Sequence, residues 1–388
     1  MTFEPEKYVN NTVTEIPPSG IRKFFDVAAE MEDVVSLGVG EPDFVTPWHI
    51  RDEGIYSLEK GHTHYTSNAG LKDLRIEIAN YMKRRFNLEY NGMTQAIVTV
   101  GGSEAIDLFL RTVISPGDEV LIPEPCFVCY SPITRLAGGV PVPVETKAEN
   151  EFRLKPEDLE ANITEKTKVL ILPYPNNPTG GIMEKADLKA IAPIIEKHDL
   201  LVLSDEIYAE LTYGGARHIS IASIKGMYDR TVVVRGFSKA YAMTGWRLGY
   251  AVGNEYIIKM MTKVHQYAIM SAPTTAQYAA IEALKNGDED IEFMREEYDK
   301  RRRFIVDGFN NMGLDCFEPK GAFYVFPCIK KTGLSSMDFC EQMLYSKKVA
   351  VVPGTAFGSC GEGFIRCSYA YSVESINTAL ERIADFVK

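Results

Sequence analysis

Six short runs of apolar, largely β-branched residues recur along this 388-residue chain: AIVTV (96–100), EVLIP (119–123), KVLILP (168–173), LLVLSD (200–205), TVVVRG (231–236) and LGYAVG (248–253). Several are apolar at consecutive positions, so both faces of the strands they form must be covered. Helical patterns lie between many of them, as at 103–114 and 185–198. Strands alternating with helices predict an α/β fold with a largely parallel sheet. From about residue 290 the texture changes. EFMREEYDKRRRFIVDGFNNMG reads as a long amphipathic helix whose charge run is a solvated face. Short strand candidates follow, AFYVFP (322–327) and VAVVPG (349–354), and then a final helix. The predicted organisation is an N-terminal arm over 1–45, a large domain over 46–290 and a smaller α+β domain over 291–388, which the arm helps to form.

A net charge of −11 makes nucleic acid and anionic membranes poor partners. Any anion must be met by local cations. No apolar run is long enough to span a bilayer, and MTFEPEKYVNN lacks the basic-then-apolar pattern of a signal peptide. Seven cysteines without an export signal suggest reduced thiols in a cytoplasm. Cys126 and Cys129 form a CxxC with no second ligand pair, so it reads as incidental. His62 and His64 lack a third ligand, and no metal is expected. The sequon at 10–12 has no meaning without secretion.

In an open α/β sheet, ligands bind beyond the carboxyl ends of the strands, and chemistry-bearing residues gather there. After AIVTV come Gly101, Gly102 and Ser103 and then a helix, a cradle for phosphate. Neither a P-loop nor a dinucleotide fingerprint occurs. After KVLILP the rigid turn YPNNPTGG can aim an asparagine amide at a ligand. LLVL ends in Ser204, Asp205, Glu206, Ile207 and Tyr208. An acid ending so apolar a strand is costly unless it meets a cation. TVVVRG leads into GFSKAYAMTGWRLGY, where Lys239 and Arg247 are the only charges among aromatic and apolar neighbours. Together these ask for a ligand with a phosphate, a protonatable ring nitrogen, a phenolic oxygen and a carbon that a lysine can attack. Pyridoxal 5′-phosphate has all four, with a Schiff base to the lysine.

The ordered set NNPTG, SDEIY and SKAYAMTGWRLGY resembles the class I/II pyridoxal-phosphate-dependent aminotransferases, which have the aspartate-aminotransferase fold. The resemblance runs from SLGVGEPDF (36–44) to GEGFIRCSYA (361–370). Its flavour is that of the bacterial and archaeal aromatic or broad-specificity enzymes. It implies that Lys239 is the Schiff-base lysine and proton carrier and that Asp205 pairs with the ring nitrogen. It places Tyr208 and Asn177 on the phenolic oxygen, and Arg247, Gly102 and Ser103 on the phosphate. Phe127 takes the place of the stacking aromatic. Tyr65 is similar to the tyrosine that reaches the phosphate across a homodimer interface. Gly40 and Arg366 would bind the substrate α-carboxylate. Where many relatives carry a phosphate-binding serine, this chain has Gly236. Ser238 substitutes for it, or the site relies on Arg247 and the cradle.

The implied reaction is a ping-pong transamination between an amino acid and a 2-oxo acid such as 2-oxoglutarate. Phe127, Tyr130 and Tyr65 are candidates for an apolar side-chain pocket, which favours aromatic donors. Aspartate would need a cation for its second carboxylate, and Arg22 and Lys23 are the nearest candidates. The alternatives are an aspartate aminotransferase and a C–S β-lyase of the same fold. A transcription regulator is disfavoured, because fewer than forty residues precede SLGVGEPDF and the chain is acidic.

Overall fold

The computed structural model describes residues 3–18 and 31–388. Arg22 and Lys23 lie outside the described residues. Twelve strands are named here in chain order. Strand β1 is Val35–Ser36, β2 Ala96–Thr99, β3 Glu119–Glu124, β4 Val140–Glu145, β5 Thr167–Leu172 and β6 Leu201–Asp205. Strand β7 is Thr231–Gly236, β8 Gly249–Val252, β9 Tyr324–Val325, β10 Val349–Ala350, β11 Val352–Pro353 and β12 Ile365–Ser368. Seven of them form one sheet in the order β2-β8-β7-β6-β5-β3-β4. The pairs β7–β6, β6–β5, β5–β3 and β3–β4 are parallel, whereas β8 is antiparallel to both β7 and β2. The α/β fold with a mostly parallel sheet is therefore as expected, with LGYAVG as its one strand of reversed direction.

Consecutive apolar residues are needed because helices cover both faces. Val169, Ile171, Leu203 and Val234 pack with Ile106 and Phe109 of the helix Gly101–Val113. Their neighbours Leu170, Leu172 and Val202 pack with Leu188, Ile191 and Ile195 of the helix Lys185–Lys197. Period-two alternation thus divides each strand between two buried faces.

Three local features differ from the sequence reading. Strand β4, VPVPVE, shows no apolar run and escaped detection; it is an edge strand, where Pro141 and Pro143 are tolerated. VAVVPG divides between β10, paired with β1, and β11, which lies in the small antiparallel sheet β11-β12-β9. The charge run in the long helix Asp288–Asn311 is not simply solvated. Arg301 and Arg302 are buried. Arg301 donates to both oxygens of Asp43, at 2.8 and 2.9 Å, and Arg302 is paired with Asp299 and Glu318. Guanidinium groups can be buried when carboxylates meet them in this way. The β1–β10 pair and Leu37 tie the N-terminal segment into the core formed by Ile305, Phe309, Val349 and Ile376.

Candidate active site

The carboxyl ends of β3, β5, β6 and β7 and the residues that follow β2 open on a cavity of about 350 Å³, within the range of small-ligand sites. Lys239 follows β7 on the short helix Phe237–Ala240 and lines this cavity. Its Nζ donates to the carbonyl oxygen of Gly40 at 2.6 Å. Burial pulls its amine down to about 8. Glu41 opposes that shift, and Arg366 and Arg247 add to it.

Asp205, the last residue of β6, faces the cavity and is only 7% exposed. Glu206 has the opposite parity and points to the other side of the sheet. The protein's own cations at this strand end go to Glu206, and none pairs with Asp205 among the described residues. Arg235 of β7 donates to Glu206, and His218 Nε2 lies 3.0 Å from it. Burial would raise the Glu206 carboxyl, but His218 and Arg235 outweigh burial and hold it well below the usual carboxylate range. Asp205 instead accepts from the Tyr130 hydroxyl at 2.7 Å and the Ile207 N–H at 3.2 Å. Burial pushes Asp205 up to about 6, while those two donors pull the other way. Tyr130 does line the cavity, but its hydroxyl is committed to Asp205, so it is not simply an apolar pocket wall.

The two asparagines of NNPTG have different work. Asn176 Oδ1 is taken by the Thr179 N–H and hydroxyl, which close the turn. Asn177 lines the cavity, and its Oδ1 accepts from Arg366 Nη1 at 3.0 Å, leaving its amide nitrogen free to donate. Arg366, on β12, is 2% exposed. It also donates to the Gly38 carbonyl and lies over the rings of Tyr324 and Phe357, at 4.6 and 4.8 Å. Its buried Nε has no partner among the described residues.

Around the cradle, Gly101 has φ +77°, and a Cβ there would lie 2.7 Å from Arg247 Nη2. Gly249 of β8 backs against the Gly101 and Gly102 backbone, where a Cβ would come within 2.6 Å. Glycine is required at both positions for this close approach. Arg247 itself has φ +52° and donates from Nη1 to the Thr244 carbonyl at 2.9 Å. Gly102, Ser103, Phe127, Ser238 and Gly40 also line the cavity. A Cβ at Gly236 would fall 2.8 Å from Ile207 Cδ1 and 3.2 Å from the Leu248 carbonyl, so a serine there needs a local shift. Tyr65 does not join this set within the chain; it is 81% exposed and outside the cavity lining.

Lys239, Arg247 and Arg366 all face the cavity, and none of them has an ion-pair partner among the described residues. Such a site suits a ligand bearing more than one negative group. The orphaned Arg366 Nε, the glycine-walled cradle beside Arg247 and the uncompensated Asp205 fit a phosphate, a carboxylate and a protonated ring nitrogen. Sequence reasoning missed Tyr324, whose hydroxyl meets that of Tyr208 at 2.8 Å inside the cavity. AFYVFP signals a strand and nothing of this contact. Tyr130 was within reach, since it follows Phe127 by three residues.

The model of the family described as aminotransferase class I and II matches residues 32–383. The aspartate aminotransferase of Pyrococcus abyssi is 49% identical to the chain over 95% of both. Aromatic-amino-acid aminotransferase 2 of Thermococcus litoralis is 46% identical over 96% of both. The crystal structure of an aromatic aminotransferase from Pyrococcus horikoshii superposes with a TM-score of 0.90 at 46% identity, covering 94% of this chain and 98% of that one.

Proposed function

The chain belongs to the class I and II aminotransferases, and we propose that it transfers the amino group of an aromatic L-amino acid to 2-oxoglutarate by a ping-pong mechanism. The class depends on pyridoxal 5′-phosphate. The observation that carries the reading is the set of three cations, Lys239, Arg247 and Arg366, facing one cavity beside Asp205 with no ion-pair partner among the described residues. When bound, the cofactor supplies an aldehyde that condenses with an amine and a protonated pyridine ring that takes up the electron pair left when Cα loses its proton.

The protein's own residues do the rest. Arg247, the Gly102 N–H and Ser103 hold the phosphate, and Ser238 is a further hydroxyl at the cavity wall. Asp205 holds a proton on the ring nitrogen, and Tyr130 orients Asp205. Tyr208 and the Asn177 amide donate to the phenolic oxygen, while Phe127 covers the ring. Arg366 forks onto the substrate α-carboxylate, with the Gly40 segment beside it. The freed amine of Lys239 would take the proton from Cα and carry it past the shared nitrogen to the carbon that was the cofactor's aldehyde. The apolar walls keep water from these transfers.

Beyond those three cations, no other basic side chain lines the cavity among the described residues. Val39, Ile106, Phe127 and Tyr324 leave apolar surface for a ring. Aspartate is the second reading, favoured by the name of the Pyrococcus abyssi relative. The test is kcat/KM for phenylalanine, tyrosine and aspartate with one acceptor. Phenylalanine or tyrosine should lead. A preference for aspartate above about a hundredfold, roughly 2.7 kcal/mol of transition-state discrimination, would overturn the aromatic reading.

We also propose a homodimer with Tyr65 contributed in trans. Asn68 Nδ2 donates to the Met270 carbonyl and Thr274 Oγ1 to that of His64, both at 2.8 Å. These bonds join the segments that carry Tyr65 and Tyr267, which is 84% exposed. Ile269 and Met270 are exposed beside them. Large exposed apolar groups on adjoining segments suit an interface. Tyr65→Phe should speed cofactor loss on dilution, and sedimentation should give a dimer. A fully active monomer would refute this. The reduced thiols suit a cytoplasm.

A further inference from the structure

Tyr324 occupies a junction in the cavity. Its hydroxyl is 2.8 Å from that of Tyr208, and the two buried rings meet edge to face with centroids 5.8 Å apart. The Arg366 guanidinium lies over the Tyr324 ring at 4.6 Å. A Cβ on Gly40 would run into the Tyr324 hydroxyl. One side chain therefore touches the residue assigned to the cofactor's phenolic oxygen, the residue assigned to the substrate carboxylate, and the segment whose carbonyl holds Lys239.

A phenol has a single proton to donate. Neither hydroxyl has another hydrogen-bond partner among the described residues. If Tyr208 donates outward to the phenolic oxygen, the hydrogen between the two tyrosines must come from Tyr324. We infer that Tyr324 is a positioning residue: its O–H donates to Tyr208, holds the Tyr208 proton on the cofactor side and strengthens that donation. Chained hydrogen bonds polarise one another in a low-dielectric interior. Burial pushes the Tyr208 phenol well above its ordinary range, so Tyr208 keeps its proton and can donate it. The other charged or titratable groups facing the pair are Arg366, Asp205, Lys239 and Tyr371. The inference rests on the proposed attachment of the cofactor at Lys239. There, a stronger donor favours the form in which the phenolic oxygen is negative and shares no proton with the lysine nitrogen.

The test reads the resting holoenzyme without substrate, by the pH midpoint of its visible absorption change. Tyr324→Phe keeps the ring under Arg366 and removes only the hydroxyl, so the packing is retained. Its midpoint should rise by about half to one pH unit, the size of one ordinary hydrogen bond. Tyr208→Phe should raise it further, and the double variant should match Tyr208→Phe alone. An unchanged midpoint in Tyr324→Phe would overturn the inference and leave the cofactor site standing. So would a Tyr324→Phe shift that persists in full when Tyr208 is already phenylalanine. A wild-type protein that shows no such band would overturn the cofactor site, and the inference with it.

Discussion

Lys239→Ala should lose turnover by about 10⁴-fold, the upper end of what a positioned proton carrier contributes. The cavity should survive, because among the described residues the side chain's one hydrogen bond is to the Gly40 carbonyl and no ion pair is broken. Cofactor held by Arg247 and the cradle should still bind, without a covalent link. The wild-type amine also sets a pH dependence. An ordinary lysine loses its proton near 10.5, but burial, aided by Arg366 and Arg247 against Glu41, brings Lys239 to about 8. Only the neutral amine has the lone pair that attacks an aldehyde. The rate of cofactor attachment to apoprotein should therefore climb about tenfold per pH unit on the acid side of that value and level off above it. A rise that continues to pH 10 would show an unperturbed lysine.

Asp205→Asn should cost about 10²–10⁴-fold in activity, the usual range for acid–base and electrostatic groups, because asparagine cannot hold a proton on the ring nitrogen. The same change should stabilise the apoprotein. Burial raises the folded carboxyl to about 6 from an ordinary 3.8. Between those values the folded chain binds more protons than the unfolded one, so stability falls as pH rises through that window and stays lower above it. Removing the ionisable group removes the penalty, worth about 1–3 kcal/mol. Chemical denaturation of apoprotein at pH 8 should show Asp205→Asn as the more stable protein, in opposition to its activity. A loss of only two- or threefold in activity would mean that Asp205 does not partner the ring. Lower apoprotein stability would mean that the Tyr130 and Ile207 hydrogen bonds outweigh burial.

Lys239, Arg247 and Asp205 were legible in the sequence because charge is expensive in apolar surroundings, and each stands at the end of a run that a two-sided sheet must bury. The parallel strands were legible for the same reason. The pairing of charges was not. Arg235 sits in β7 and Glu206 directly after the neighbouring β6, and only strand order and parity show that their bond lies on the face away from the cavity. Tyr130 read as a wall of an apolar pocket, and Tyr324 only as part of a strand. Their hydroxyl contacts join residues 75 and 116 positions apart in the chain. Strand β4 was hidden by its prolines, and the buried Arg301 by ordinary helical periodicity, since its partner Asp43 lies 258 residues away. Periodicity reports which face is covered; it does not report what meets a charge there.

The most direct measurement is borohydride reduction of the holoenzyme followed by peptide mapping. Reduction converts a lysine–aldehyde link into a stable amine. The account predicts the cofactor's mass on the peptide that contains Lys239 and on no other. Label on a different lysine, or no label on protein that carries out transamination, would contradict it.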